Sequence, residues 1–221
     1  LRHVFGGHNT LAYPSGDDHP SVAGSQKATD EFVPLLNLYY HRWQNGARNI
    51  AFKSIPKQDG WVLESAQNSG VGGALNSTAS TFLLGDDAQN RQYVALLSFN
   101  TASLPDNAVI LSAMLKIKLS KLTGENPFNW TMGLLFDIKK GVFNGNAALE
   151  ACDFQATPTQ YSEAWFNKYA VQNWINATIA TSGGSGDFSD INRQGLTQLR
   201  LRFGKATNNN GVADNRAFFS G

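Results

Sequence analysis

Residues 113–119 read Ala-Met-Leu-Lys-Ile-Lys-Leu, so that small or aliphatic side chains alternate with methionine and lysine. A period of two residues is typical of a β-strand that buries one face and exposes the other. Residues 199–203, Leu-Arg-Leu-Arg-Phe, repeat the pattern with arginine in the polar positions. Both stretches therefore predict strands with one face against an apolar core and the other in solvent.

Seven further segments rich in aliphatic and aromatic residues predict strands around these two: Ile50–Lys53, Trp61–Glu64, Thr81–Leu84, Tyr93–Phe99, Leu134–Lys139, Trp174–Ala180 and Ala217–Phe219. Turn-forming runs of Gly, Asp, Asn and Pro separate them. About nine short strands at this spacing favour an all-β fold, an antiparallel β-sandwich of the jelly-roll kind. A parallel α/β sheet would need a helix between successive strands, and only the short segments Ala147–Phe154 and Ser162–Ala170 could supply one.

Residues 1–45 have a different pattern, that of a short helical tail. From Pro20 to about Trp43, apolar residues recur at three- and four-residue steps, which predicts a helix. Pro34 falls inside this segment and is expected to kink the helix or to end it. The remainder of the chain, 46–221, is expected to form the β-sandwich module.

Composition excludes several classes of protein. Hydrophobic residues make up 42% of the 221 residues and charged residues 16%, so a sizeable core can form and disorder is not expected. The 18 Lys and Arg nearly balance the 17 Asp and Glu, which gives no net attraction to nucleic acid. The single cysteine, Cys152, excludes an internal disulfide, and no apolar run approaches the ~20 residues of a membrane span. The chain begins Leu-Arg-His without a signal-peptide pattern, as expected of a processed or excised segment.

Several strand-and-turn segments resemble the DNRLRE-type β-sandwich modules, over about residues 47–221. They are 59–65, 81–87, 92–99, 103–105, 110–115 and 199–203. That resemblance implies a non-catalytic accessory module of a secreted or cell-surface protein, and some members of the family bind acidic polysaccharides such as alginate. Modules of the family usually continue into one more strand beyond the equivalent of 218–221.

The segment 15–21, Ser-Gly-Asp-Asp-His-Pro-Ser, is similar to the last conserved block of SGNH/GDSL-type esterases. In that block a histidine and an acidic residue three positions before it belong to the catalytic triad. His19 would match the histidine, whereas Gly16 stands at the acidic position, so Asp17 or Asp18 would have to serve. The Gly-Asp-Ser nucleophile block is absent from the sequence, so residues 1–45 are interpreted as the remaining tail of a hydrolase domain or as a decayed copy of one. An esterase whose serine lies outside this segment is the second alternative function.

The polar positions of the two decisive strands supply candidate ligand-binding residues. They are Lys116, Lys118, Arg200 and Arg202, with Trp130 or Trp174 as flanking aromatic residues. If the two strands share a sheet, the four cations share a face that could bind the carboxylates of a uronate-rich polymer, while indole rings stack on sugars. The alternative is a solvated face that only keeps the sheet soluble.

Acidic residues near turns are candidate oxygen ligands for a structural calcium ion, the one cofactor considered. The candidate set is Asp59, Glu64, Asp86 and Asp87, with Asp137 and Asp214 as further acidic residues. No Asp-x-Asp-x-Asp-Gly string is present, so side-chain turns with the backbone are the competing interpretation. All four histidines precede residue 42, so the β-sandwich lacks the usual neutral-pH base.

A second hypothesis comes from a different class of protein, a structural subunit of an extracellular filament, surface layer or adhesin. The low charge and a missing last strand would suit a module whose open sheet edge is completed by a neighbouring copy. Self-association through such an edge therefore remains an alternative to polysaccharide binding.

Overall fold

The computed structural model describes residues 21–179 and 188–221. The chain divides into two compact units, with the boundary between Ala51 and Phe52. The described residues form one α-helix and ten β-strands. Their bounds are α1 Val22–Asn45, β1 Gly60–Glu64, β2 Gly72–Asn76, β3 Thr81–Asp86, β4 Gln92–Asn100, β5 Ala113–Thr123, β6 Leu134–Lys140, β7 Gln160–Trp165, β8 Trp174–Ile179, β9 Leu196–Phe203 and β10 Asn215–Phe219.

Helix α1 begins after Ser21, whose hydroxyl accepts a hydrogen bond from the Gly24 amide at 3.1 Å and caps the first turn. Pro34 does not end the helix, which continues for eleven further residues to Asn45. The large apolar side chains of α1, Phe32 and Trp43 among them, are exposed. No helix in the described ranges has the length and hydropathy that crossing a bilayer would require.

The ten strands pair antiparallel, which confirms the predicted all-β antiparallel sandwich. One layer has the order β7-β6-β9-β4, with β1 and then β2 continuing beyond β4, and the other has the order β3-β10-β5-β8. β3 connects the layers where it pairs with the start of β4. On the opposite side, a single bridge between Phe166, just after β7, and Ala177 of β8 connects the two layers, so the sandwich is nearly a closed barrel.

The structure differs from the strand predictions in three places, one predicted strand that is absent and two strands, β2 and β7, that were not predicted. Ile50–Lys53 forms no strand, and β2 was not predicted. The candidate helix at Ser162–Ala170 is also not found, because 160–165 is strand β7, which turns Ala164 into the core.

The main core lies between the two layers and confirms the alternation in β5. Leu115 and Ile117 are buried in that core, whereas Met114, Lys116 and Lys118 are exposed. Aromatic rings from several other strands fill the same space, including Phe82 of β3 and Phe218 of β10, which stack with centroids 5.4 Å apart. Burying each such side chain stabilises the fold by roughly 1.5–3 kcal/mol.

β9 follows the same sequence pattern but is buried on both faces. A second, smaller core forms on the outer side of β1 and β4, where Val62 and Leu96 pack against Phe143 and Leu149. These last two residues belong to the segment 141–156, which we call the covering segment. The covering segment also lies over β9. The side chains of β9 that point away from the main core are therefore covered, and the predicted solvated face is not found.

Candidate functional site

The two strands that carry the predicted cations are not neighbours. β5 lies between β10 and β8, whereas β9 lies between β6 and β4 in the other layer. The four cations therefore do not share a face, and they form two groups with different surroundings.

The lysine group lies on an open surface. In the pairing of β5 with β8, Lys118 is opposite Trp174 and Lys116 is opposite Asn176, so these four side chains share the solvent side of the sheet. Trp174 is 43% exposed and Phe219 of the adjacent strand β10 is 47% exposed. We call the surface formed by Lys116, Lys118, Trp174, Asn176 and Phe219 the lysine–aromatic face.

The ammonium group of Lys118 lies between two aromatic rings of this face. Its Nζ is 6.0 Å from the centroid of the Trp174 ring and 5.6 Å from that of Phe219. Both distances are within the range of cation–π attraction, which contributes about 0.5–1 kcal/mol at exposed sites. The charge is thereby positioned beside two apolar ring surfaces that remain accessible to a ligand.

The arginine group is buried around one carboxylate. Arg200, predicted to face outward, is 4% exposed, so that prediction is wrong. Its Nη2 and Nε donate to Asp137 Oδ2 at 2.8 and 3.1 Å, and Arg202 Nη2 donates to Asp137 Oδ1 at 3.1 Å. Burial alone would raise the pKa of Asp137, but hydrogen bonds from Arg202, the Ser162 amide and Arg200 outweigh it and hold that pKa below its ordinary value.

The remaining donors of Arg200 fasten the covering segment to β9. Nη1 donates to the carbonyl oxygens of Asp153, Phe154 and Ala156 at 3.0, 2.9 and 2.7 Å. The guanidinium carbon also lies 5.2 Å from the centroid of the Phe143 ring. All of these interactions are internal, so the guanidinium of Arg200 has a structural role.

Trp130 differs from Trp174. It follows the short 3₁₀ turn Pro127–Asn129 and is half-buried, with its indole Nε1 enclosed and without a hydrogen-bond partner. An enclosed N–H cannot donate to a ligand on the surface, so Trp130 does not supply the polar contact that a sugar hydroxyl would need.

The candidate calcium ligands do not form one site. Within the described ranges, no group of three or more His, Cys, Asp or Glu residues converges to hold a metal. Asp59 accepts from the Ser54 hydroxyl and the Ser98 amide at 2.6 and 3.0 Å, and Glu64 accepts from the Gly70 amide at 2.8 Å. These hydrogen bonds are of the kind that the alternative to a calcium site predicts, in which the acidic side chains hold turns by bonding to the backbone.

Asp87 and Asp86 are adjacent in sequence but have different partners. Asp87 pairs with Arg91, whose Nη2 lies 2.6 Å from Oδ2. Asp86 is fully buried; the Thr207 hydroxyl and the Asn208 amide lie near its carboxylate, but its Oδ2 makes no hydrogen bond of normal length. Asp86 is therefore the one member of the candidate set whose carboxylate is incompletely satisfied.

The candidate esterase residues His19, Asp17 and Asp18 lie outside the described residues.

Cys152 belongs to the covering segment, where burial, followed by the charges of Asp153 and Glu150, raises the pKa of its thiol. A raised pKa disfavours the reactive thiolate.

Two of the exposed aromatic residues that sequence reasoning missed bear on this face. Phe219 was assigned to a strand, but nothing in the sequence places that strand next to β5. Trp165, at the end of β7, is 48% exposed and lies over two glycine positions, Gly133 and Gly204. It belongs to the layer opposite the lysine–aromatic face, and is therefore a matched control for Trp174.

Comparison of the sequence with protein-family models and with curated proteins finds no match. The resemblance to DNRLRE-type modules and to SGNH esterases therefore stays a prediction.

Proposed function

We propose that this chain is a non-catalytic extracellular module that binds acidic polysaccharide through the lysine–aromatic face. The observation that carries the proposal is the position of the Lys118 ammonium between the exposed rings of Trp174 and Phe219. A uronate residue offers a carboxylate for the cation and an apolar sugar face for a ring, and both are met here at adjacent points.

The form of the face suits an extended polymer. Lys116 and Lys118 are two residues apart on one strand, about 7 Å along its axis, and their pairing partners on β8 share the same plane. A paired strand holds such side chains in fixed register, whereas a loop would have to be ordered on binding. The face is also open to solvent. A polymer chain needs such an open surface, because the chain extends past the binding site in both directions.

The proposal involves no chemical step. The five residues that define the face include no carboxylate, histidine or thiol, and the β unit contains no histidine at all. The arginine group, which could otherwise polarise a substrate, is occupied by Asp137 and by backbone carbonyl groups.

Affinity-gel electrophoresis against alginate, pectin and a neutral glucan tests the proposal. We expect retardation in the two acidic gels, little in the neutral gel, and loss of retardation when Lys116 and Lys118 are both replaced by glutamine. Normal mobility in all three gels, confirmed by calorimetry with alginate, would contradict the proposal.

One observation favours the filament alternative. Strand β2 lies at a sheet edge, and among the described strands it pairs only with β1. Gln155 caps one backbone group of β2 by accepting from the Gly72 amide at 3.0 Å. Size-exclusion chromatography distinguishes the alternatives, since ordered polymers would favour assembly through β2 and a stable monomer would disfavour it.

A further inference from the structure

Two buried carboxylates meet at one corner of the sandwich. Asp86 ends β3 and Asp214 precedes β10, and both side chains are buried. The Asp86 amide donates to the Asp214 carbonyl at 3.0 Å, and the Asp214 amide donates to Asp86 Oδ1 at 3.2 Å. Among the described residues, no lysine or arginine forms an ion pair with either carboxylate. Two adjacent buried acids without a cation are unfavourable unless a proton, a metal ion or hydrogen bonds to the charged form stabilise them.

The two carboxylates differ in how well they are satisfied. Asp214 Oδ1 accepts from the Glu125 amide at 2.6 Å, and its Oδ2 accepts from the side-chain amides of Asn208 and Asn210 at 2.7 and 2.8 Å. The carboxylate of Asp86 lies near the Thr207 hydroxyl and the Asn208 amide, but its enclosed Oδ2 makes no hydrogen bond of normal length. A buried polar atom without a partner is rare in folded proteins, and an ion absent from the structure is one of its recognised causes.

The loop beside these carboxylates matches part of the residue pattern of a calcium loop. Residues 206–211 read Ala-Thr-Asn-Asn-Asn-Gly. They place Asn208, Asn210 and Gly211 at the third, fifth and sixth positions of the pattern Asp-x-[Asp/Asn]-x-[Asp/Asn]-Gly. Gly211 has a φ of +71°, the left-handed conformation that makes glycine favourable at the sixth position. Ala206 and Ala217 stand at the first and twelfth positions of that pattern, where acids are usual, so Asp86 and Asp214 would have to supply the carboxylates.

We propose that this corner binds one Ca²⁺ ion, held by the carboxylates of Asp86 and Asp214 and by the side-chain oxygens of Asn208 and Asn210. In the present arrangement both amide nitrogens point at Asp214, and the amide oxygens accept from the backbone amides of Asn210 and Val212 at 3.2 and 2.7 Å. Binding therefore requires the two amide groups to rotate and present oxygen in place of nitrogen. Ca²⁺ takes six to eight oxygens in flexible geometry, so water and loop carbonyl groups complete the shell.

Two glycines permit the close approach of backbone segments at this corner. A Cβ at Gly85 would lie 2.2 Å from the Asp214 carbonyl oxygen, and a Cβ at Gly124 would lie 2.2 Å from Asp214 Oδ1. The site thus joins the end of β3, the residues just after β5 and the start of β10. A bound ion would fasten the end of β3 to the segment before β10, and the Glu125 amide, which donates to Asp214, links the end of β5 to the same point.

Calcium titration of the intact chain tests the proposal. The protein is freed of metal with EGTA, desalted, and titrated with CaCl₂ by isothermal titration calorimetry. We expect one ion per chain, and a rise in the unfolding temperature of roughly 5–10 °C at about 100 times the dissociation constant. Absence of binding heat together with an unchanged unfolding temperature would overturn the proposal and leave a proton as the neutralising group on Asp86.

Amino-acid substitutions test which residues hold the ion. Asp86→Asn and Asp214→Asn are expected to weaken Ca²⁺ binding at least tenfold. Asp59→Asn, a change of another buried acid whose oxygens are already hydrogen-bonded, should keep the affinity of the unmodified protein. Asn210→Ala is a milder change at an exposed position and is expected to weaken binding severalfold, which preserves the test if the buried variants fail to fold. Unchanged affinity in Asn210→Ala and in whichever of the aspartate variants folds would also overturn the proposal.

Discussion

The outer faces of β5 and β9 begin from the same sequence pattern and end in opposite environments. In β5, Lys116 and Lys118 are exposed beside Trp174. In β9, Arg200 is enclosed by Asp137 and by the covering segment, residues 141–156. Alternation of apolar and charged residues therefore identifies the side of a strand that faces the main core, but it does not show whether the other side meets water. A distant part of the chain decides that question.

Removal of the buried arginine should have the largest effect on stability. Arg200→Ala leaves Asp137 buried with one fewer cation and leaves three carbonyl groups without a donor. We expect a loss of about 3–5 kcal/mol in the free energy of unfolding, measured by urea denaturation. A loss below about 1 kcal/mol would mean that the guanidinium does not hold the covering segment, and the contrast between β5 and β9 would fail.

The pH dependence of stability should show a second difference between the two faces. Burial, together with the charge of Glu150, raises the pKa of Asp153 in the covering segment from 3.8 to about 6. Because the folded-state pKa is the higher one, the stability due to protonated Asp153 is fully present below pH 3.8 and is lost as pH rises through 6. Asp153→Asn removes this loss, so we expect the variant to be more stable by roughly 1–3 kcal/mol at pH 7.

A matched control accompanies that measurement. The depressed pKa of Asp137 gives stability of the opposite sign, present above the ordinary aspartate pKa and lost as pH falls below it. Urea denaturation from pH 4 to pH 7 on the unmodified chain and on Asp153→Asn separates the two groups. Parallel curves for the two proteins over that range would contradict the role assigned to Asp153.

Two tryptophans of similar exposure distinguish the layers in ligand binding. Trp174→Ala removes one of the rings beside Lys118, and we expect about a tenfold weaker association with alginate, equivalent to about 1.4 kcal/mol. Trp165→Ala removes an equally exposed ring from the opposite layer and should leave the association unchanged. Calorimetry on both variants makes the comparison, and equal losses would show that exposed aromatic area, and not the lysine–aromatic face, controls binding.

The smallest expected effect concerns the stability contribution of the exposed lysines. Lys116→Gln and Lys118→Gln remove charges that form no ion pair among the described residues. Lys116→Gln should change the free energy of unfolding by less than about 0.5 kcal/mol in the same urea experiment. Lys118→Gln also removes the cation–π contacts with Trp174 and Phe219, so a loss of about 0.5–1 kcal/mol is expected. A change above 1 kcal/mol in either variant would show that the face of β5 is structural in the way that the face of β9 is.

Local patterns predicted much of the β unit. Leu115 and Ile117 are buried as their alternation indicates, and most of the strands occur where apolar segments lie between turns. β2 was missed because Gly72 and Gly73 carry no side chain to form a pattern; they are needed for close approach, since a Cβ on Gly72 would lie 1.9 Å from the Ala151 carbonyl oxygen.

The candidate site was only partly predictable, because its parts come from strands far apart in sequence. Lys118 and Trp174 were both candidates, and the pairing of β5 with β8 brings them together. Phe219 joins them through β10, whose place in the layer no local pattern specifies. The misplacement of Arg200 has the same origin, because its carbonyl partners lie 44 to 47 residues earlier in the chain.

Asp59 has a mechanical consequence that its role in local turns conceals. Its Oδ2 accepts from the Ser54 hydroxyl at 2.6 Å and from the Gly221 amide at 3.3 Å, so a residue near the start of the β unit is held beside Gly221. Tension applied between those two points would load this small set of contacts before it reached the layers. The carboxylate of Asp59 is therefore the first contact that such tension would have to break.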